Sequence, residues 1–372
     1  MRRARGFSMI ELMVGIVLTL LVVTIVMQAL ALYENQKRVT SGSSDSATNG
    51  MIALFQIKRE ARMAGFGLTS PASLLCPQGV NIYYNGTTVF NSGTLMPVLI
   101  TNGGSGLPDQ VRFARSQSVY GIAPATIVKP MPSPSSIITA DSSTQLKTSD
   151  LFMVVPGPNH SPPSDPCTLM QLSQDPQPTG NGWNYQHNPS YLYNPPNPGN
   201  VFTTAPNYVV GDTVVAMGPF ALTNFQILCS DNAAPSDQNS CDLVSYDTLT
   251  AGTPINWANA NVGHIASQVV DLQAQYGVAP AGSDTVNQWV DATGSWAAPS
   301  ATDLRRIKAI RVAVVARSSK YEKTAVSPAS LVLWDSGQST QKSLTLTAAE
   351  QHYRYRIYYQ VMPMINMIWA NS

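Results

Sequence analysis

Few side chains in this 372-residue chain are placed to do chemistry, and the most telling is a carboxylate, Glu11. It follows a basic leader (Arg2, Arg3, Arg5) and a Gly6-Phe7 step. It also opens an apolar run, Leu12 to Leu32, whose polar members are Gln28 and two threonines. A charged residue costs about 2.5–3.5 kcal/mol at a membrane helix centre on the insertion scale, and such residues are usually kept for a function. Phe7 and Glu11 stand one helical turn apart. Cutting the chain after Gly6 would leave a new α-ammonium close to the depth of that carboxylate. In a bundle of such helices, the ammonium of one chain can pair with Glu11 of its neighbour. Two uncompensated charges in low dielectric then become one neutral pair.

Other chemistry finds little support. The four histidines (His160, His187, His264, His352) are scattered, and none forms a metal-binding H-x-x-x-H or H-E-x-x-H. Gly103-Gly104-Ser105-Gly106 lacks the spacing of a nucleophile elbow and reads as a turn. No phosphate-binding or dinucleotide fingerprint occurs, and the 21 acidic residues show no paired-carboxylate signature. The expectation is a non-enzymatic chain with no catalytic residue, no metal and no cofactor. The even cysteine count points to two disulfides with three connectivities open. The twelve-residue separation of Cys229 and Cys241 favours a local staple, leaving Cys76 with Cys167. Four free thiols or a zinc site are the weaker alternatives, since no CxxC is present and only His160 lies near a cysteine, Cys167.

Composition sets the frame. Apolar residues make up 44% and charged residues 12%, about half the usual charged share, with a net charge of +1. So balanced a chain carries no bulk electrostatic footprint for nucleic acid, and no nucleic-acid partner is expected. The basic C-terminal residues (Arg305, Arg306, Lys308, Arg311, Arg354, Arg356) read as solvated or paired edges of a sheet.

The elements that must position Glu11 follow. Leu12 to Leu32 spans about 30 Å as a helix, the thickness of a bilayer core. It is too long for a signal-peptide core, and no small-residue cleavage site follows it. The leader arginines place the N-terminus in the cytoplasm and the body across the membrane, where the cysteines can oxidise. All 27 prolines lie at or after Pro71, so a long N-terminal helix is expected to run on past the membrane. Leu54, Ile57, Ala61 and Ala64 form its apolar stripe, with Lys58, Arg59, Glu60 and Arg62 mostly elsewhere. Thr40–Gly50 is poor in helix formers and predicts a break, and Gly65 and Gly67 supply a stop. Expected strands are 80–84, 110–114, 151–155, 213–220, 265–276, 307–316 and 353–361. In the last, Tyr353, Tyr355, Ile357, Tyr359 and Val361 form the buried face. Residues 156–200, dense in Pro, Asn and Gly, predict an irregular surface insertion. Its Trp183, Tyr185, Tyr191 and Tyr193 either form a contact surface or pack back on their own sheet.

Residues 5–16, Arg-Gly followed by Phe-Ser-Met-Ile-Glu-Leu-Met-Val-Gly-Ile, resemble the class III leader and N-terminal helix of type IV prepilins. The resemblance implies that a prepilin peptidase cuts after Gly6 and methylates Phe7, and that Glu11 is the assembly glutamate. Further along, Arg59-Glu60-Ala61-Arg62-Met63-Ala64-Gly65-Phe66, Val270-Asp271-Leu272-Gln273-Ala274-Gln275-Tyr276-Gly277-Val278 and Arg306-Ile307-Lys308-Ala309-Ile310-Arg311-Val312 are similar to PilW-type minor pilins. So are Tyr353-Arg354-Tyr355-Arg356 and Asn366-Met367-Ile368-Trp369, while the middle of the chain is largely unmatched. Two departures stand out. Ile365-Asn366 replaces the Arg-Asn of many relatives, and the loop after Gly277 lacks their Asp-rich character, which weakens a calcium site at Asp284 and Asp291.

The implied fold is α+β and pilin-like, a long N-terminal helix packed on an antiparallel β-sheet with long loop insertions. Its parts are a leader (1–6), a transmembrane helix (7–32), an exported helix (33–70) and a β-rich domain (71–372). The implied role is initiation and assembly of a type IV pilus. The implied partners are prepilin peptidase, other minor pilins, the major pilin, the inner-membrane assembly platform and a large tip adhesin. The implied location is the inner membrane by a single pass, with a periplasmic body, and then the fibre. Two other roles share these features: a type II secretion minor pseudopilin, and a pilus-tip adhesive module.

Overall fold

The structure, a computed structural model, describes residues 8–369 apart from 71, 72, 75, 105, 117–122, 135, 136, 190 and 339. Gly6 and Phe7 therefore lie outside the described residues.

A single helix, α1 (Met9–Met63), carries the N-terminal 55 described helical residues without interruption. At 1.5 Å per residue it is about 80 Å long. The break expected over Thr40–Gly50 is absent, because packing overrides propensity there. Gly42, Ser46, Gly50 and Ala53 fall on one face and let the helix approach the sheet closely. A Cβ on Gly42 would stand 3.3 Å from the Ser318 Cβ, and one on Gly50 would overlap the Tyr358 ring. Ser46 and Ala53 are buried, and the stripe continues through Ile57, Ala61 and Ala64. Small residues at this spacing are therefore contact residues.

The sheet beneath α1 has four antiparallel strands in the order Gln288–Val290, Val269–Val278, Ile307–Arg317, Tyr355–Pro363. Every residue of Ile307–Arg317 is buried, as its apolar run predicts for a central strand. Both faces of the sheet are covered. Leu272, Ala274, Tyr276, Val312, Val314 and Met362 pack with Ile57 and Ala61 of α1. On the opposite face Val270, Ala313 and Val315 meet Leu331, Leu333 and Trp334 from the hairpin Ser330–Trp334/Lys342–Thr345. Arg311 on that face lies over Trp289 and Trp334, 5.0 and 4.8 Å from their ring centroids. Its Nε donates to Gln275 Oε1 (2.7 Å) and its Nη2 to Asp335 Oδ2 (2.8 Å), so the buried cation has both aromatic and anionic partners.

The expected facing of the last strand is corrected here. Tyr359 and Val361 are 45% and 42% exposed, whereas Met362 is 2% exposed. The even-numbered side chains turn to α1: Arg356 Nη2 donates to Ser43 Oγ (2.7 Å), and Tyr358 fills the space left by Gly50.

Two further sheets build the rest of the body. Gly263–Ser267, Cys241–Asp247, Phe220–Cys229, Gln110–Ser116 and Val98–Thr101 form a five-stranded antiparallel sheet, which adds Val111, Phe113 and Phe225 to the α1 core. A nine-stranded sheet runs from Gln177–Thr179 at one edge to Thr87–Gly93 at the other, and all its pairs are antiparallel except Cys167–Gln171 with Val80–Tyr84.

Residues 156–200 are not an irregular insertion. Cys167–Gln171 is an inner strand of the nine-stranded sheet, and Gly182–Tyr185 pairs with Ile138–Ala140. The aromatic residues pack inward: Tyr185 is buried 5.7 Å from Phe152, and Tyr193 lies edge-on to Tyr84 at 5.1 Å. The expected 213–220 strand is two elements, Thr213–Ala216 and Phe220–Cys229, and 265–276 is likewise split into Gly263–Ser267 and Val269–Val278.

Both disulfides are formed, Cys76–Cys167 and Cys229–Cys241. The first lies beside the parallel pairing of Val80–Tyr84 with Cys167–Gln171, and the second closes the ladder end where Cys229 faces Cys241.

Candidate assembly site

The first half of α1 projects from the body. Met9–Glu34, 26 residues with a mean hydropathy of 2.7, buries none of its surface in the chain. Exposed leucine, isoleucine and valine along three turns and more would be an aggregation liability in water and match a lipid environment. The two threonines of the run are satisfied locally. Thr19 Oγ1 donates to Gly15 O (2.7 Å), and Thr24 Oγ1 bonds Leu20 O one turn back, so neither hydroxyl stands unpaired in the apolar stretch.

Glu11 sits in the first turn of this projecting helix, with Ser8 at the N-cap. The helix dipole favours a carboxylate there by about 0.3–1 kcal/mol. Glu11 is exposed, and among the described residues no hydrogen bond or ion pair engages its carboxylate. A carboxylate so placed presents its charge to whatever packs against the helix.

The second half of α1 is fastened to the body. Asn49 Nδ2 donates to Ser267 Oγ (3.2 Å), and Asn366 Nδ2 donates to Ala64 O (2.9 Å) at the helix end. Glu60 was expected off the buried face, yet it is 4% exposed and accepts from Arg115 Nε at 2.8 Å. That ion pair ties the helix to the strand Gln110–Ser116. Sequence reasoning missed both this pair and the contact role of Gly42, Ser46 and Gly50. The four-residue spacing of small residues was the available signal. Replacing Gly50 with Val should destabilise the seat by about 1–3 kcal/mol through overlap with Tyr358, read as a lower thermal midpoint.

The remaining titratable groups are internal fasteners. His160 is buried, with Nδ1 on Asp212 Oδ2 (2.8 Å) and Nε2 on Asp165 Oδ2 (3.0 Å). Burial pulls its pKa down, but the hydrogen bonds and charges of Asp165 and Asp212 carry the net shift upward. With both ring nitrogens engaged, the imidazole has no site left for a substrate proton. His264 pairs with Asp242 (2.9 Å), and His352 stacks on Tyr321 with its centroid at 4.7 Å. Among the basic residues, Arg306, Lys308, Arg311 and Arg354 each pair with a carboxylate, of Asp303, Asp284, Asp335 and Glu322 respectively. Asp284 is thus engaged by Lys308, and Asp291 accepts from Gln275 Nε2 (2.8 Å). Among the described residues no cluster of His, Cys, Asp and Glu is arranged to hold a metal ion.

Asp271 and Asp109 are the costly exceptions. Burial pushes Asp271 up to about 7, against the Gln273 hydrogen bond and assisted by the nearby Asp109 charge. Burial pushes Asp109 up to about 6, although the Gly103 and Ala274 N–H groups hold it down. Asp271 Oδ2 has no hydrogen-bond partner. The unfolded chain releases the Asp271 proton near 3.8 and the folded chain near 7, so the folded state holds the extra proton between them. Stability therefore falls as pH rises through that window. Asp271→Asn keeps an acceptor for Gln273 without the charge. It should raise stability at pH 8 by about 1–3 kcal/mol and flatten the slope between pH 4 and 7. Urea unfolding at a series of pH values reads both effects.

An apolar helix that projects from a disulfide-bonded β-rich body, and a carboxylate in its first turn, define the prepilin class, and residues 1–27 match the prokaryotic N-terminal methylation motif. Within that class, residues 237–366 match the type IV pilus-assembly protein W family. The chain thus joins an N-terminal methylation motif, with a class III prepilin leader, to a C-terminal region similar to a family of structural pilus-assembly proteins. The matched region runs from before Cys241–Asp247 to Ile365–Trp369 and contains the whole four-stranded sheet that seats α1. No curated protein and no solved structure matches the chain.

Proposed function

We propose that the chain is a minor pilin that helps to initiate and assemble a type IV pilus. Prepilin peptidase cuts after Gly6 and methylates Phe7. The apolar half of α1 holds the chain in the inner membrane by a single pass, with a cytoplasmic leader and a periplasmic body. Assembly transfers that helix from lipid into a bundle of like helices, where Glu11 pairs with the N-terminal ammonium of a neighbouring subunit. Other minor pilins, the major pilin, the assembly platform and a large tip adhesin are the partners.

The observation that carries this reading is the division of α1. One continuous helix is wholly unburied over Met9–Glu34 and firmly seated from Gly42 onward. A mere anchor needs no such rigid connection, because a flexible linker would tether equally well. A fibre subunit needs one, because the bundle fixes where each head sits. Deleting the gene tests the reading when surface pili, twitching, secretion and DNA uptake are scored together. The reading expects pili and twitching to be lost with secretion intact. Lost secretion with normal pili would instead mark a secretion pseudopilin.

A further inference from the structure

The strand Tyr355–Pro363 forms an edge of the sheet that seats α1. Among the described residues its nine residues pair on one side only, with Ile307–Arg317, in an unbroken register. Ser318 N donates to Arg354 O and Met364 N donates to Lys308 O, both at 2.8 Å, so the even-numbered residues make the ladder bonds. The N–H and C=O groups of Tyr355, Ile357, Tyr359 and Val361 consequently point away from the sheet. Pro363 sits at the next outward position, where a missing N–H costs the ladder nothing. Natural proteins usually shorten, cover or charge such an edge, yet here it is long, and Tyr359 and Val361 are exposed beside it.

We propose that this edge is a docking strand for an extended segment of a different membrane-tethered subunit of the same fibre. The inference rests on the reading of the chain as a fibre subunit. The strand ascends with α1: Arg356 lies level with Ser43, Tyr358 with Gly50, and Asn366, just beyond the strand, with Ala64. Any neighbour anchored in the same membrane has the same polarity, and that excludes a second copy of this chain. A two-fold axis along the membrane normal would set equal residues opposite one another. A parallel ladder instead needs bonding residues opposite non-bonding ones. A two-fold axis across the strand would point the two anchors in opposite directions. Head-to-tail stacking would have to use another sheet edge, and these are short (Gln288–Val290, Gln177–Thr179, Val98–Thr101) or broken in register (Gly263–Ser267, Thr87–Gly93). The occupant is therefore a strand from another subunit, with main-chain hydrogen bonds for affinity and alternate apolar side chains to lie beside Tyr359 and Val361.

Val361→Pro removes an outward N–H and leaves the ladder to Ile307–Arg317 intact. Expressed as the full chain in cells, it should accumulate in the membrane to the parent level while surface pili fall about tenfold or more. Normal piliation would overturn the proposal. A benzophenone amino acid placed at Tyr359 in the otherwise unaltered chain gives a second reading that does not depend on the proline variant folding. Irradiation should yield a crosslink to a second chain that carries a prepilin leader. A crosslink to another copy of this chain, or none in piliated cells, would overturn it. Loss of the fibre reading itself would show separately, as normal piliation in the deletion strain.

Discussion

A Glu11→Val chain is expected to be cut after Gly6 as efficiently as the parent and to accumulate in the membrane, yet to be depleted from fibres by about tenfold or more. The direction is informative because valine makes the apolar run more favourable in lipid. If Glu11 served anchoring alone, the substitution would leave assembly unchanged or improve it. Within a helix bundle the account differs. The neighbour's ammonium then enters low dielectric without a counter-charge, and losing one partner of such a pair costs several kcal/mol. Each 1.4 kcal/mol is a factor of ten in occupancy. Glu11→Asp should recover part of the loss, since the charge remains but its reach is shorter. Immunoblots of sheared fibres against membranes read the ratio. Parental fibre content in Glu11→Val would remove charge pairing from the account.

Removing Cys76–Cys167 by paired serine substitution should destabilise the body by about 4–5 kcal/mol, against about 3 kcal/mol for Cys229–Cys241. The ranking follows from the chain closed by each bond, with sequence separations of 91 and 12. The longer loop restricts the unfolded chain more. The larger bond also locks the one parallel pairing in the nine-stranded sheet, whose strands lie far apart in sequence. The shorter loop has separate support. Arg317 Nη1 donates to Ser236 O at 2.6 Å and its Nη2 to Asn239 O at 2.7 Å, so the loop stays tied to the central strand after reduction. Denaturant midpoints of the two double variants test this order, and an equal or larger loss for Cys229–Cys241 would contradict it.

What could be read from residues alone follows from which physical constraint dominates each segment. A bilayer-length apolar run is set by length and composition together, so the projecting helix and the position of Glu11 in its first turn were legible. Ile307–Arg317 was legible because a strand covered on both faces must be apolar throughout. Tyr355–Pro363 was legible as a strand but not in its facing. Alternation identifies a buried face only when the other face meets water, and here a helix lies on one side and a hairpin on the other. Thr40–Gly50 misled for a related reason, since residues poor in helix propensity were there to let α1 approach Tyr358 and Ser318. In 156–200, the short strand Cys167–Gln171 is outweighed by surrounding Pro and Asn, and its register depends on partners far away in sequence. The disulfide pairs agree with the spacing argument, whereas Glu60 and Arg115, 55 residues apart, gave no local sign of their pairing.

The N-terminal mass of the chain recovered from sheared surface fibres tests the central claim most directly. The account predicts a chain that begins at an N-methylated Phe7, present in the fibre fraction and absent from it when Gly6 is replaced by a bulky residue. A fibre fraction lacking the chain, or one containing it with residues 1–6 still attached, would contradict the account.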